Sequence, residues 1–340
     1  MSGQTLDLDA LRAWAVGRVP GLDGPLTATR IKGGQSNPTY RIDGPGGAFV
    51  LRRKPPGTLL RSAHAVEREF RVQKALAATD VPVARVHALC EDEAVIGTAF
   101  YIMDFVACRI FDQPALPGLT APERSAIIDE MNRVLTRIHA VDIAAVGLSD
   151  FGPPGHYCQR QTERWSKQYQ ASQTGPLPEM DALTDWLMAN MPADDGQRCL
   201  VHGDYRLDNL AFAPDAPRIS AVLDWELSTI GHPYADLANV IMQWSMPATA
   251  EGRGLEGVDR AALGLWSDAR FIERYCARRG ISGIEDFNFY LAFSFFRMAA
   301  ILQGVKKRAL EGNAADPERG LKLGRYVPHF ARAGLQAAAR

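Results

Sequence analysis

The amino-acid sequence predicts an α+β protein of two lobes, in which a small antiparallel sheet is followed by a larger, mainly helical part. Three observations predict this architecture. Short strand-like runs separated by glycine-bearing turns cluster in the first third of the 340 residues. A Pro- and Gly-bearing stretch at residues 112–122 then interrupts the pattern. Apolar residues recur at helical spacing beyond it. The N-lobe is therefore predicted at residues 1–105 and the C-lobe at residues 106–340.

The N-lobe begins with apolar residues at helical spacing, which predict a short cap helix. Strand-like runs follow, with Gly-Gly and Gly-Pro-Gly-Gly turn material between the early ones. An amphipathic stretch then predicts a helix of about four turns before the last strand. In chain order the predicted elements are a helix at 7–18, strands at 27–31, 38–42 and 49–52, a helix at 64–78 and a strand at 99–105.

The C-lobe is predicted to be mostly helical. Helical spacing is clear at residues 123–140 and 181–191, and the most apolar segment, 289–305, reads as a buried helix. Two short strands, near 199–202 and 219–223, flank a polar loop.

The composition indicates a globular protein, and its balanced charge favours a small-molecule partner. The chain has 38 Lys+Arg against 39 Asp+Glu and is 46% hydrophobic, which excludes a disordered or fibrous protein. This balance lacks the basic excess that nucleic-acid binding requires, so no nucleic-acid partner is expected.

The sequence also predicts a cytoplasmic protein without a membrane partner. The five cysteines form no CxxC pair and suit reduced thiols. The start is acidic where a signal peptide would be basic. The apolar segment 289–305 is interrupted by Arg297 and falls short of the roughly 20 residues that a spanning helix needs.

A constellation of oxygen-bearing side chains carries the chemistry. In VHGDYRLDN, Asp204 stands five residues before Asn209, and Asp224 follows in LDW after a hairpin-length interval. Phosphoryl transfer from ATP needs a carboxylate near the acceptor hydroxyl and carboxylate plus amide oxygens on Mg²⁺. HGD alone is equally well explained by a structural Asp, but the joint pattern is far more specific.

The pattern HGDxxxxN followed by LDW resembles the aminoglycoside phosphotransferase and choline kinase-like branch of the protein kinase-like fold. The resemblance extends from residue 31 to at least residue 239. It looks closest to phosphotransferase-like proteins fused to, or encoded beside, acyl-CoA dehydrogenases. The segments that carry this match are IKGGQSNPTYRI, FVLRRKPPG, AHAVEREF, HGDYRLDN and DWELSTIGHPYADLAN. The resemblance implies a two-lobed kinase-like fold, the cofactors ATP and Mg²⁺, and phosphorylation of a small-molecule hydroxyl.

The same resemblance implies roles for individual residues. Asp204 would be the catalytic base or the carboxylate that orients the acceptor, with His202 and Arg206 as further catalytic candidates of the loop. His202 is expected to order the loop by hydrogen bonding. Asn209 and Asp224 would hold Mg²⁺.

The predicted phosphate loop is GGQSN, between the first two strands. Glycines let backbone N–H groups approach phosphate oxygens closely, and Gly34, Ser36 and Asn37 are the predicted nucleotide contacts. Without the resemblance, Gly-Gly in a hairpin would more simply be a turn.

A kinase-like site also needs a cation on the third strand, paired with an acid on the following helix. Arg52 with Glu69 is the predicted pair, with Glu67 as the other acid considered and Arg53 and Lys54 as rival cations. The competing interpretation is a charged strand end and a solvated helix face.

The predicted hinge follows in YIMDFV, where Met103, Asp104 and Val106 would lie near the adenine. Apolar residues at this point are equally well explained as core.

Three other functions compete with a small-molecule kinase. A hydrolytic metal centre lacks an HExxH pair and a Cys ligand set, and Asp236 more simply braces the catalytic loop from a helix start. An inactive nucleotide-binding module would not need the complete set of base and metal ligands. A protein kinase should carry APE and a phosphorylatable activation segment directly after Asp224, and neither follows this residue.

The acceptor is predicted from charge. From Arg297 onward the chain has nine Lys or Arg against three Asp or Glu, which is either a solvated face or a field that attracts an anion and repels a polycation. With the resemblance, this favours a hydroxyacyl-CoA acceptor and association with an acyl-CoA dehydrogenase. An aminoglycoside is the alternative acceptor. The aromatic segment 287–296 either lines an acyl channel or, more simply, forms a core helix.

Overall fold

The structure is a computed structural model that describes residues 6–31, 37–55, 65–249, 253–314 and 316–340. The chain folds as two compact units. The first comprises the described parts of Met1–Ile110 with Ala144–Leu148 and Asp208–Ser228. The second comprises the described parts of Phe111–Ile143, Ser149–Leu207 and Thr229–Arg340.

The first unit is built on a five-stranded antiparallel sheet in the order β1-β2-β3-β5-β4. The four predicted strands are confirmed. The remaining strand, β4, was not predicted. Its sequence, VHALC, does not alternate regularly between apolar and polar residues. The strands are β1 (Thr27–Arg30), β2 (Thr39–Gly44), β3 (Gly47–Arg53), β4 (Val86–Cys90) and β5 (Phe100–Asp104).

One helix packs on each face of this sheet, because successive side chains of a strand point to opposite faces. Leu51 of β3 is buried in a cluster with Leu11 of helix α1 (Leu8–Ala15). The preceding Val50 lies in a second cluster with Val66 of helix α2 (Val66–Leu76). The sheet therefore holds the end of β3 against α2.

A later segment, residues 208–228, joins the first unit although the predicted boundary assigns it to the C-lobe. Its strands β7 (Leu210–Phe212) and β8 (Ile219–Val222) pair antiparallel, and the 3₁₀ turn Trp225–Leu227 follows. Trp225 is fully buried, and the turn packs against α2. The backbone N–H of Val222 donates to the carbonyl of Pro82 (2.8 Å). These contacts attach the segment that carries Asn209 and Asp224 to the sheet unit.

The second unit is mainly helical, as predicted. Its longest helix, α8, is the predicted buried helix, and a helix start was also predicted at Asp236 of α6. Beside these, α3 and α5 were predicted, whereas α4, α7, α9 and α10 were not. Phe289 stacks with Trp186, and Phe295 packs on Phe330, so the aromatic segment forms core. The helices are α3 (Ala121–His139), α4 (Tyr157–Ser172), α5 (Pro178–Ala189), α6 (Pro233–Trp244), α7 (Asp268–Arg279), α8 (Phe287–Leu310), α9 (Pro317–Gly324) and α10 (Val327–Ala338).

The two short strands predicted around the polar loop exist, but each has its own partner. Strand β6 (Cys199–Val201) pairs with β9 (Thr229–Gly231) in the second unit, whereas β8 pairs with β7 in the first. In chain order, the 3₁₀ turn Leu207–Asn209 lies between β6 and β7. No helix formed by the described residues is both long and apolar enough to cross a membrane.

Candidate active site

The HGD loop of the second unit is held by a buried carboxylate on helix α6. Asp236 accepts hydrogen bonds from the backbone N–H groups of His202 (2.6 Å) and Gly203 (2.9 Å). Burial opposes ionisation of this carboxylate, but His139 and the His202 backbone amide outweigh it and hold the pKa of Asp236 below its usual value. The predicted bracing role of Asp236 is therefore seen directly.

Within the loop, His202 orders the residue that follows the glycine. The backbone N–H of Asp204 donates to Nδ1 of the fully buried His202 (3.2 Å). The Asp204 side chain is 31% exposed, and its Oδ2 lies 3.5 Å from Nε of Arg206. Tyr205 anchors the loop because its hydroxyl donates to the carbonyl of Met131 (2.9 Å). The loop thus presents a partly exposed carboxylate on a fixed backbone.

The predicted metal ligands flank the β7–β8 ribbon of the first unit. The backbone N–H of Leu223 donates to the carbonyl of Asn209 (2.8 Å), so Asn209 lies opposite the residue that precedes Asp224. Asp224 has φ 62° and ψ 63°, a left-handed conformation that Asp tolerates better than most residues. A strained backbone at a polar position is typical of functional sites.

The predicted cation and acid form an ion pair that extends to Asp224. Nε of Arg52 lies 2.8 Å from Glu69, and its Nη2 lies 2.5 Å from Asp224. The rival cations are engaged elsewhere, since Arg53 Nε donates to Thr98 (2.8 Å) and Lys54 pairs with Glu67. Strand alternation explains the separate contact of Arg53, because Arg52 and Arg53 point to opposite faces of the sheet.

Glu69 gathers several donors in the interior of the first unit. The side-chain amide of Asn37 donates to it (2.8 Å), and the hydroxyl of Tyr101 lies 3.3 Å away. Asn37, predicted as a phosphate contact, is 1% exposed. Its amide therefore ties the end of the GGQSN loop to the ion pair. Gly34 and Ser36, the other predicted loop contacts, lie outside the described residues.

Burial raises the pKa of Glu69 to about 7, although the charge of Arg52 opposes this. Below about pH 7 the folded protein therefore favours the protonated acid. In the unfolded chain the acid ionises near its ordinary pKa of 4.5, so the stability of the fold decreases as the pH rises from 4.5 to about 7.

The variant Glu69→Gln removes this titration but keeps the shape and the acceptor oxygen of the side chain. Relative to this variant, the wild-type free energy of unfolding should fall by up to about 3 kcal/mol from pH 4.5 to pH 7 and stay level above. Denaturant titrations of both proteins across this range measure the difference. A pH-independent difference would contradict the titration.

The predicted hinge residues occupy the end of β5. Met103 is buried in the apolar cluster with Val50, as the alternative interpretation requires. The carboxylate of Asp104 lies 2.6 Å from Nε2 of His87, and the backbone N–H of Asp104 donates to the carbonyl of Arg85. Val106 lies at the edge of the same apolar cluster. The structure therefore gives the Asp104 side chain a partner within the sheet.

Two side chains near the ion pair were missed in the sequence. Glu226 has a carboxylate oxygen within 4.8 Å of those of Glu69 and Asp224. Its signal was the spacing Asp-x-Glu in LDWEL. Tyr101 donates to Glu69, and no local pattern distinguishes it from the other aromatic residues of a core strand.

Comparison with known proteins identifies the family. The model of the phosphotransferase enzyme family matches residues 27–282. The chain belongs to this family. The resemblance stated from HGDxxxxN and LDW is thereby confirmed.

Two longer proteins share much of this sequence. Acyl-CoA dehydrogenase family member 10 of Mus musculus is 48% identical over 293 residues, which are 86% of this chain and 27% of that protein. Family member 11 of Homo sapiens is 43% identical over 316 residues, which are 93% of this chain and 40% of that protein. The chain therefore spans less than half the length of these relatives.

Solved structures confirm the two-lobed kinase-like fold of the phosphotransferase family. A candidate aminoglycoside phosphotransferase of Ralstonia eutropha is 49% identical, with a TM-score of 0.90 over 98% of this chain and 99% of that one. A thermostable mutant of aminoglycoside phosphotransferase APH(4)-Ia, in a ternary complex with AMP-PNP and hygromycin B, is 18% identical. Its TM-score is 0.63 over 96% of this chain and 98% of that one. The second likeness concerns the fold alone.

Proposed function

We propose that this phosphotransferase family member is a Mg²⁺- and ATP-dependent kinase of a small-molecule hydroxyl. The observation that carries the proposal is the position of Arg52, which pairs with both Glu69 and Asp224 at a ribbon that also carries Asn209. A cation paired with a helix acid, beside an Asp and an Asn, is the set that phosphoryl transfer from a metal-bound nucleotide requires.

The residues of the ribbon suit a hard divalent cation. Asp224 and Asn209 supply carboxylate and amide oxygens, which Mg²⁺ prefers, and Glu226 adds a further carboxylate nearby. When bound, Mg²⁺ would neutralise charge on the transferred phosphoryl group. Asn209 and Asp224 would hold the ion.

The nucleotide would be held by Arg52, which Glu69 keeps in place. A guanidinium presents several donors in a planar fork, so it can contact phosphate oxygens with two hydrogen bonds. The structural neighbour that contains AMP-PNP supports ATP as the phosphoryl donor.

Asp204 would receive or orient the acceptor hydroxyl. Because the transition state of phosphoryl transfer is largely dissociative, positioning contributes as much as proton removal. Its partial exposure, on a backbone fixed by Asp236 and His202, suits a carboxylate that meets an incoming substrate.

The proposed acceptor is anionic, with a hydroxyacyl-CoA as the favoured compound. Two guanidinium groups lie at the HGD loop, since Arg206 lies 3.5 Å from Asp204 and Arg297 donates to the carbonyl of Gly203. They would attract an anion and repel a polycationic aminoglycoside. The names of the relatives support association with an acyl-CoA dehydrogenase.

The test is ADP formation from ATP and Mg²⁺ with a panel of aminoglycosides, choline-like amines and hydroxyacyl-CoA thioesters. We expect turnover with the hydroxyacyl-CoA compounds, and no stimulation by the same thioesters without the hydroxyl. Turnover confined to aminoglycosides would overturn the proposed acceptor. Nucleotide binding without turnover of any acceptor would instead favour an inactive binding module.

A further inference from the structure

Helix α8 contributes one arginine to the backbone of the HGD loop. Nη2 of Arg297 donates to the carbonyl of Gly203 (2.8 Å), across 94 residues of sequence. The guanidinium carbon also lies 5.7 Å from the centre of the Trp165 ring on α4. A cation over the face of a tryptophan is attracted by the ring quadrupole, so the aromatic side chain helps to fix the direction of the arginine.

The backbone of Gly203 is held at both its N–H group and its carbonyl. The N–H of Gly203 donates to Asp236, whereas its carbonyl accepts from Arg297. Gly203 has φ +81°, which residues other than glycine rarely adopt. The carbonyl of Gly203 belongs to the same planar peptide as the N–H of Asp204, which donates to His202. Arg297 and His202 therefore fix the two ends of one peptide plane.

We infer that Arg297 is a positioning residue for Asp204, acting through the Gly203–Asp204 peptide. The inference rests on the proposed function, in which Asp204 acts on the acceptor hydroxyl. A displacement of this peptide would move the Cα atom of Asp204, which belongs to the same planar unit, and would carry the carboxylate with it. Arg297 opposes the displacement because it is a charged donor, and hydrogen bonds from charged groups are stronger than neutral ones.

Arg297 differs in this respect from Lys307 and Arg332, two other basic residues of the C-terminal third. Lys307 of the same helix also donates to a backbone carbonyl, that of Ala171 (2.8 Å), but this carbonyl lies at the end of α4. Arg332 pairs with Glu179 on α5 and is exposed. Lys307 therefore offers a matched control, since it makes the same type of bond away from the loop.

The test compares Arg297→Met, Arg297→Lys and Lys307→Met in the full chain. Arg297→Met should lower kcat by about 100-fold, the cost of misplacing a catalytic group by about 1 Å, while the KM for ATP stays within about twofold. Arg297→Lys should recover part of the loss because it keeps a charged donor, and added guanidinium should partly restore Arg297→Met. Lys307→Met should keep the wild-type kcat.

Amide hydrogen exchange of residues 202–205 gives a second readout that needs no substrate. Exchange in this segment should become faster in Arg297→Met and stay unchanged in Lys307→Met. Wild-type kcat together with unchanged exchange in Arg297→Met would overturn the inference. A wild-type protein without turnover would refute the proposed function, and the exchange measurement alone would then decide whether Arg297 orders the loop.

Discussion

Phosphoryl transfer should be lost when Asp204 is replaced by Asn, while nucleotide binding remains. The substitution removes the charge and the proton acceptor but preserves the size of the side chain. General base and orienting groups contribute about 10²- to 10⁴-fold to rate, so kcat should fall by at least about 100-fold. The hydrogen bonds that hold the loop involve the backbone of Asp204 and its neighbours, so the variant should fold normally.

The control for this variant is Asp215→Asn, which makes the same chemical change at an exposed carboxylate after β7. It should retain the wild-type kcat. Nucleotide affinity, measured by calorimetry in the presence of Mg²⁺, should be equal for the wild type and both variants. Full activity of Asp204→Asn would refute the assignment of Asp204.

Nucleotide binding should lose its dependence on Mg²⁺ when Asp224 is replaced by Ala. The carboxylate of Asp224 is the charged member of the proposed ligand pair, and its removal leaves the amide of Asn209. Affinity for ATP with Mg²⁺ should fall by at least about tenfold, the lower end of what a lost outer-shell partner costs a metal site. ATP titrations with and without Mg²⁺ should then coincide.

Asp224→Asn separates this effect from backbone strain. Ala is disfavoured in the left-handed conformation of residue 224, whereas Asn adopts it readily. Asn also keeps an oxygen for Arg52, so this variant should fold like the wild type and still lose most of the Mg²⁺ dependence. An unchanged Mg²⁺ titration in Asp224→Asn would show that Asp224 is not a ligand.

Part of the site was predictable from the sequence. Local pattern predicted the strand that carries Arg52 and the helix that carries Glu69, and the resemblance to kinase-like proteins paired the two residues. The bracing of the loop by Asp236 followed from its place at the start of a helix.

Contacts between segments that lie far apart in the chain were not predictable from the sequence. The bond from Arg52 to Asp224 spans 172 residues, and nothing in either segment specifies it. Asn37 is predicted to contact phosphate because GGQSN matches the Ser-containing loop of the family, and nothing in the sequence indicated that its amide also has Glu69 as a partner in the interior. Arg297 appeared as one charge in a basic run, because its distance from Gly203 depends on the packing of α8.

Short strands show the same limit within the fold. β7 and β9 have three residues each, which is too few for a periodic pattern to emerge. Each pairs with a strand in another part of the chain, β7 with β8 and β9 with β6. Tertiary hydrogen bonding, rather than propensity, decides these elements.

Phosphoryl transfer to a hydroxyl is measured most directly by phosphorus NMR of a reaction that contains ATP, Mg²⁺ and a hydroxyacyl-CoA. We expect a new phosphomonoester signal that grows as the γ-phosphate signal of ATP declines, with neither change in Asp204→Asn. Release of inorganic phosphate without a phosphorylated acceptor, or an equal ester signal from the Asp204→Asn variant, would contradict this expectation.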